Sequence, residues 1–188
     1  MNRTQIPNLI SLLRIILVIP VVWALMSADF YTALVLFAVA GFSDALDGFL
    51  AKHYHWQSRL GSILDPLADK LLLVASFASL TWIGLLPYWL LWMVLGRDVL
   101  IVAGALAYHF IVGKFELLPV WSSKINTALQ IALVLLVIFQ QHWLFDAQHW
   151  ITIMTWLVVA SIVNSGSEYL LVWGLRAWKT TRNDNDRQ

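Results

Sequence analysis

The sequence predicts an all-α, polytopic membrane protein with six transmembrane helices and both termini on the cytoplasmic side. Three observations carry that expectation. Of the 188 residues, 60% are hydrophobic and only 12% charged, more apolar surface than a soluble domain of this length can bury. The apolar residues fall into six runs, each near the roughly 20 residues that a membrane-crossing helix needs. The cations between these runs collect on one side.

Taken in order, the first run covers 7–26 and opens with IPNLISLLR. Pro7 suits a first helical turn, whereas Pro20 is expected to kink the helix. Arg14 interrupts the run and no small-residue cleavage site follows Met26, so the segment is read as a retained span and not as a signal peptide. The second run covers 31–52 and the third 61–84; Gly41, Gly48 and Gly61 let backbones approach closely or leave room for a ligand. The fourth, 87–112, contains Arg97 and Asp98. The fifth, 120–141, opens with Lys124 and Asn126. The sixth, 149–174, contains Glu168, which is expected to pair with Arg14 or Arg97 if it pairs at all. Residues 1–176 read as a single membrane domain, and the polar tail 177–188 as a disordered cytoplasmic extension. There is no internal repeat of the kind that builds inverted-repeat transporters.

With the N-terminus cytoplasmic, one face holds Arg3, Lys52, Arg59, Lys114, Lys124, Arg176, Lys179, Arg182 and Arg187. The opposite loops, around Ser27, Leu85 and Gln141, contribute only Asp29 and Asp146, so the positive-inside rule gives one orientation. A net charge of +1, scattered over loops and termini, excludes a nucleic-acid partner. The absence of cysteine excludes disulfides and thiolate metal sites.

The informative stretch is SDALDGFLAKHYHWQSRLGSILDPLADK, residues 43–70. Asp44 and Asp47 are three apart at the end of the second run, and Asp65 and Asp69 four apart at the start of the third, so each pair shares a helix face. The short connection folds the helices antiparallel and lets both faces converge. One carboxylate here is accounted for by a salt bridge or a helix terminus; four in hydrocarbon are not, and require compensating cations. Lys52 and Lys70 neutralise part. Oxygen-only ligation with open positions suits Mg²⁺, and two ions would clamp a diphosphate for in-line displacement. With no histidine or cysteine in the cluster, zinc is disfavoured.

Asp44, Asp47, Gly48, Ala51, Gly61, Asp65 and Asp69 resemble the signature of the CDP-alcohol phosphotransferase (CDP-alcohol phosphatidyltransferase) family, D-x2-D-G-x2-A-R-x8-G-x3-D-x3-D. Every spacing is kept; the family's arginine is Lys52 here, which keeps the charge and loses the bidentate fork. The resemblance implies a metal set of Asp44, Asp47, Asp65 and Asp69 holding two Mg²⁺ or Mn²⁺ ions, with Asp69 also the catalytic base. It implies Gly48, Ala51, Lys52 and Gly61 around a CDP-diacylglycerol donor, release of CMP, a homodimer, and a bacterial inner (cytoplasmic) membrane with the site facing the cytoplasm.

LGRDVLIVAG and SSKINTALQ resemble the branch of the family that forms cardiolipin from phosphatidylglycerol. Members acting on glycerol 3-phosphate carry further cations where this chain has Ala105 and Asn126. A free phosphate dianion calls for more positive charge than a phosphodiester, so phosphatidylglycerol is the expected acceptor, with Arg97, Lys124 and Arg14 on its phosphate. Glycerol 3-phosphate is the alternative acceptor and a cation or proton transporter the remote one. His53 and His55 are expected to be solvated, His109, His142 and His149 to pack or lie at an interface. Trp82, Trp89, Trp92, Trp143 and Trp150 read as an aromatic belt.

Overall fold

The computed structural model describes the backbone at 5–54, 61–112, 121–143 and 146–185, and side-chain surroundings at 10–43, 64–104, 121–143 and 146–168. Among the described residues six helices follow one another: α1 (Gln5–Met26), α2 (Phe30–Tyr54), α3 (Gly61–Trp82), α4 (Tyr88–Val112), α5 (Trp121–Trp143) and α6 (Gln148–Asn185). No strand occurs among the described residues. The all-α class and the number of helices match the sequence expectation. The backbone of α6 is helical through Asn185.

Two tight turns show how the sequence stops and restarts helices. After α1, the Asp29 amide donates to the Ala24 carbonyl (2.9 Å) and the Ala28 amide to that of Leu25 (3.1 Å), with Ala28 left-handed at φ 57°. This is a Schellman ending with alanine where glycine is usual. Asp29 then caps α2, its Oδ1 accepting from the Thr32 amide at 3.1 Å. Hydrogen bonds from the Thr32 side chain and amide, opposed by desolvation and helped by nearby His142, hold the Asp29 carboxyl below the ordinary 3.8. After α3 the same ending recurs with Gly84 at φ 82°: Leu85 donates to Leu80 at 2.9 Å and Gly84 to Thr81 at 3.0 Å. This turn ends α3 at Trp82, two residues before the end of the apolar run.

The chain divides into two compact units, Met1–Pro87 with Val134–Ala147, and Tyr88–Leu133 with Gln148–Gln188. In the first, α1 packs on both α2 and α3. Val21, Ala24 and Leu25 of α1, Ala33, Phe37 and Ala40 of α2, and Leu72, Leu73, Phe77 and Leu80 of α3 form its buried core. Alanines at these buried positions, and not Gly41, are the small residues of the packing. Gly41 is exposed, and a Cβ there would meet nothing within 4 Å. In the second unit α4 packs on α6, burying Leu90, Val94, Val158 and Ile162.

Large apolar side chains also cover the outside. Ile19 is 72% exposed, Phe42 70% and Trp92 69%, and all five tryptophans expected in an aromatic belt are exposed. Such a surface is stable against lipid, not water. Among the described residues, Trp121–Trp143 and Gln148–Glu168 are long and apolar enough to cross a membrane, and Ile10–Met26 and Phe30–Ser43 are shorter apolar helices.

Candidate active site

In the first unit the site is built by α1 and α3. Ser11 and Arg14 are three apart on α1 and both buried; Asp65 and Asp69 are four apart on α3. The spacings place each pair on one helix face, and α1 packs on α3 with these faces in register. The Ser11 hydroxyl donates to Asp65 Oδ1. Arg14 Nη1 donates to Asp69 Oδ1 at 2.6 Å. Arg14 is among the largest fully buried side chains described, whereas the Asp69 side chain is 45% exposed. A buried guanidinium requires a carboxylate partner, and Asp69 supplies it while keeping a face open.

Both carboxylates are thereby oriented from behind. Outer hydrogen bonds of this kind fix the direction of carboxylates that ligate metals. The donor set is all oxygen, which fits Mg²⁺ or Mn²⁺. Asp44 and Asp47 lie on the backbone of α2, but their side chains, like those of Ala51 and Lys52 and the surroundings of Gly48 and Gly61, lie outside the described residues. Among the described residues no group of three potential metal ligands occurs.

In the second unit a buried polar cluster forms around Arg97 of α4. Its Nη1 donates to Asp98 Oδ1 at 2.9 Å, and its Nη2 to Ser123 Oγ of α5 at 2.8 Å and to Ser165 Oγ of α6 at 2.7 Å. Asn126, fully buried, accepts from Ser161 of α6 at 2.7 Å. Lys124 is not brought into this cluster; it is exposed, with Nζ 5.3 Å from the centroid of the Trp121 ring, a cation–π contact. The ion pair of Arg97 is with Asp98, not Glu168. The side chains of Ala105 and His109 lie outside the described residues.

Sequence reasoning missed Ser11, Ser123, Ser161 and Ser165. Ser11 was within reach, because S-x2-R on one apolar helix and D-x3-D on another are complementary faces. The serines of α5 and α6 carry no comparable signal: hydroxyls in membrane helices are common and usually bond to their own helix.

A profile of the CDP-alcohol phosphatidyltransferase family matches residues 4–163, and the chain belongs to this family. It is similar to a CMP-forming cardiolipin synthase of Rattus norvegicus, 40% identical over 149 residues, covering 71% of this chain and 49% of that protein. The Homo sapiens cardiolipin synthase (CMP-forming) is 39% identical over 149 residues, covering 71% and 50%. A chloroplastic CDP-diacylglycerol–glycerol-3-phosphate 3-phosphatidyltransferase of Oryza sativa is 32% identical over 187 residues, covering 88% and 57%. The chain spans about half the length of the first two relatives.

Proposed function

We propose that this protein is a cardiolipin-forming CDP-alcohol phosphatidyltransferase, moving the phosphatidyl group of CDP-diacylglycerol onto phosphatidylglycerol with release of CMP. The observation that carries the acceptor assignment is the buried neutral Asn126. It bonds to Ser161, and Arg97 is the buried cation among the described residues of that unit; by the resemblance drawn from sequence, members acting on glycerol 3-phosphate usually carry a lysine at the position of Asn126. One guanidinium suits a phosphodiester better than a free dianion. The likeness to cardiolipin synthases supports the same reading.

In this reading Asp44, Asp47, Asp65 and Asp69 hold two Mg²⁺ or Mn²⁺ ions, which supply charge neutralisation at the diphosphate. Ser11 fixes the direction of Asp65, and Arg14 that of Asp69. Asp69 takes the proton of the acceptor's primary hydroxyl as its oxygen bonds to the phosphatidyl phosphorus and the bond to the CMP oxygen breaks. Gly48, Ala51, Lys52 and Gly61 surround the donor. Arg97 holds the acceptor phosphate; Lys124 acts at the rim, and Arg14 works through Asp69 and not on the acceptor. All six helices cross a bacterial inner membrane with the site facing the cytoplasm, and the protein acts as a homodimer.

The second reading, transfer to glycerol 3-phosphate, is favoured by the Oryza sativa relative, whose similarity covers 88% of the chain. Purified protein with Mg²⁺ and CDP-diacylglycerol, offered each acceptor in turn, separates the two by CMP release and mass spectrometry of the lipid product. Cardiolipin formed with phosphatidylglycerol and abolished by chelator is the expected outcome. Phosphatidylglycerophosphate as the sole product overturns the acceptor assignment, and no CMP with either overturns both.

A further inference from the structure

Ser122, Asn126 and Gln130 stand four residues apart on α5, so they line one face at about 6 Å per step. Asn126 and Gln130 are fully buried. Among the described residues, Ser122 Oγ, Asn126 Nδ2, and both Oε1 and Nε2 of Gln130 are buried without a hydrogen-bond partner. Other hydroxyls on these helices, such as Thr127, Thr152 and Ser167, bond back to their own backbone, while Gln140 Oε1, ten residues beyond Gln130, is also buried without a partner. Four unmet polar atoms on one face in an apolar helix bundle mark a place where a polar occupant belongs. This face begins beside Ser123, which holds Arg97, and its middle residue bonds to Ser161, one turn from the Ser165 that also holds Arg97.

We infer that Asn126 and Gln130 form a subsite for an uncharged hydroxyl, the middle hydroxyl of a glycerol group whose phosphate lies on Arg97. A primary amide offers a donor and an acceptor side by side, as a hydroxyl needs, and neither residue carries charge. In glycerol esterified to phosphate, the middle hydroxyl is a few bonds from the phosphate oxygen, and Asn126 stands three residues along α5 from the Ser123 that holds Arg97, about 4.5 Å of helix rise, with Gln130 one turn beyond it. The glycerol is borne by a lipid or is free glycerol 3-phosphate; both present the same hydroxyl. The inference rests on the acceptor reading above.

The test compares phosphatidylglycerol with the propanediol analogue of the same lipid, which keeps the attacking primary hydroxyl and lacks the middle one. A parallel arm compares glycerol 3-phosphate with propanediol phosphate, so that the arm giving product identifies the source. The unaltered protein is expected to lose on the order of 10-fold in kcat/KM with the analogue. Gln130→Met is expected to abolish that preference while leaving the KM for CDP-diacylglycerol unchanged. Equal use of both acceptors by the unaltered protein overturns the subsite, with no need of a folded variant. So does a preference that survives in Gln130→Met, or a variant that gains thermal stability with unchanged kinetics, the signature of amides that hold water. Absence of product in every arm removes the acceptor reading and the subsite with it; product without discrimination removes the subsite alone.

Discussion

Arg14 shows what a single side chain contributes here. Its guanidinium Nη1 meets Asp69 Oδ1 at 2.6 Å from within a buried face of α1, so it sets where the carboxylate points. Arg14→Lys keeps the charge but offers a point donor on a different stem. If Asp69 is the proposed base and CDP-diacylglycerol the donor, the expected result is a fall in kcat on the order of 10- to 100-fold with the donor KM little changed, as misplacement of a reacting group produces. Steady-state kinetics with the donor varied checks it; a change in KM alone would place Arg14 on the substrate. Asp29 tests the same logic away from the site. Its carboxyl titrates below its ordinary value, so its stabilising effect is complete above pH 4 and disappears as the pH falls through the lowered value. Asp29→Asn still caps the helix and does not titrate. Thermal unfolding of the two proteins in detergent should therefore agree near neutrality, with the parent losing more stability than the variant below about pH 4. From sequence, the shared face of Asp65 and Asp69 was legible because their spacing lies within one helix. The partner of Arg14 was not, because it depends on which helix α1 packs against.

At the scale of the element, the two helix endings make opposite predictions from the same geometry. Ala28 occupies a left-handed position that glycine fills without strain, and it is exposed. Ala28→Gly is expected to stabilise the protein by about 0.5–1 kcal/mol, the left-handed penalty less the added chain entropy. Gly84 has the same role with the preferred residue, and Gly84→Ala should cost about 1 kcal/mol. Midpoints of thermal unfolding in one detergent should move up for the first and down for the second. The apolar runs gave the helices their order and approximate length, since hydrophobicity is written along the chain. Their ends were less legible. α3 stops at Trp82 because backbone hydrogen bonds close the Gly84 turn, and α6 continues to Asn185 through polar residues that hydropathy alone assigns to a tail. Composition reports what a residue prefers as solvent, while helix continuation depends on backbone bonding.

For the whole molecule, the exposed apolar surface and the carboxylates make separate demands. Exposed Ile19, Phe42 and Trp92 call for lipid or detergent, and alkaline washing of membranes should leave the protein in the pellet. The carboxylates call for cations. If divalent ions bind them in the folded state only, Mg²⁺ at 100 times its Kd adds about 2.7 kcal/mol of stability, and chelator should remove both this increment and the activity. Asp65→Asn should shrink the Mg²⁺-dependent rise in Tm, and a rise of unchanged size would place the ions elsewhere. The positive-inside pattern and the apolar fraction were readable at once because they are sums over the chain. The polar cluster of Arg97 with Ser123 and Ser165 was not, because it joins residues 26 and 68 positions apart through three helices.

The position of Arg14 also bears on how the protein is made. α1 precedes α3 along the chain, so the serine and guanidinium that meet Asp65 and Asp69 are synthesised first. In the folded structure Asp69 therefore has a counter-charge supplied by its own chain, present whether or not metal is bound. α1 thus carries the counter-ion of the acidic helix.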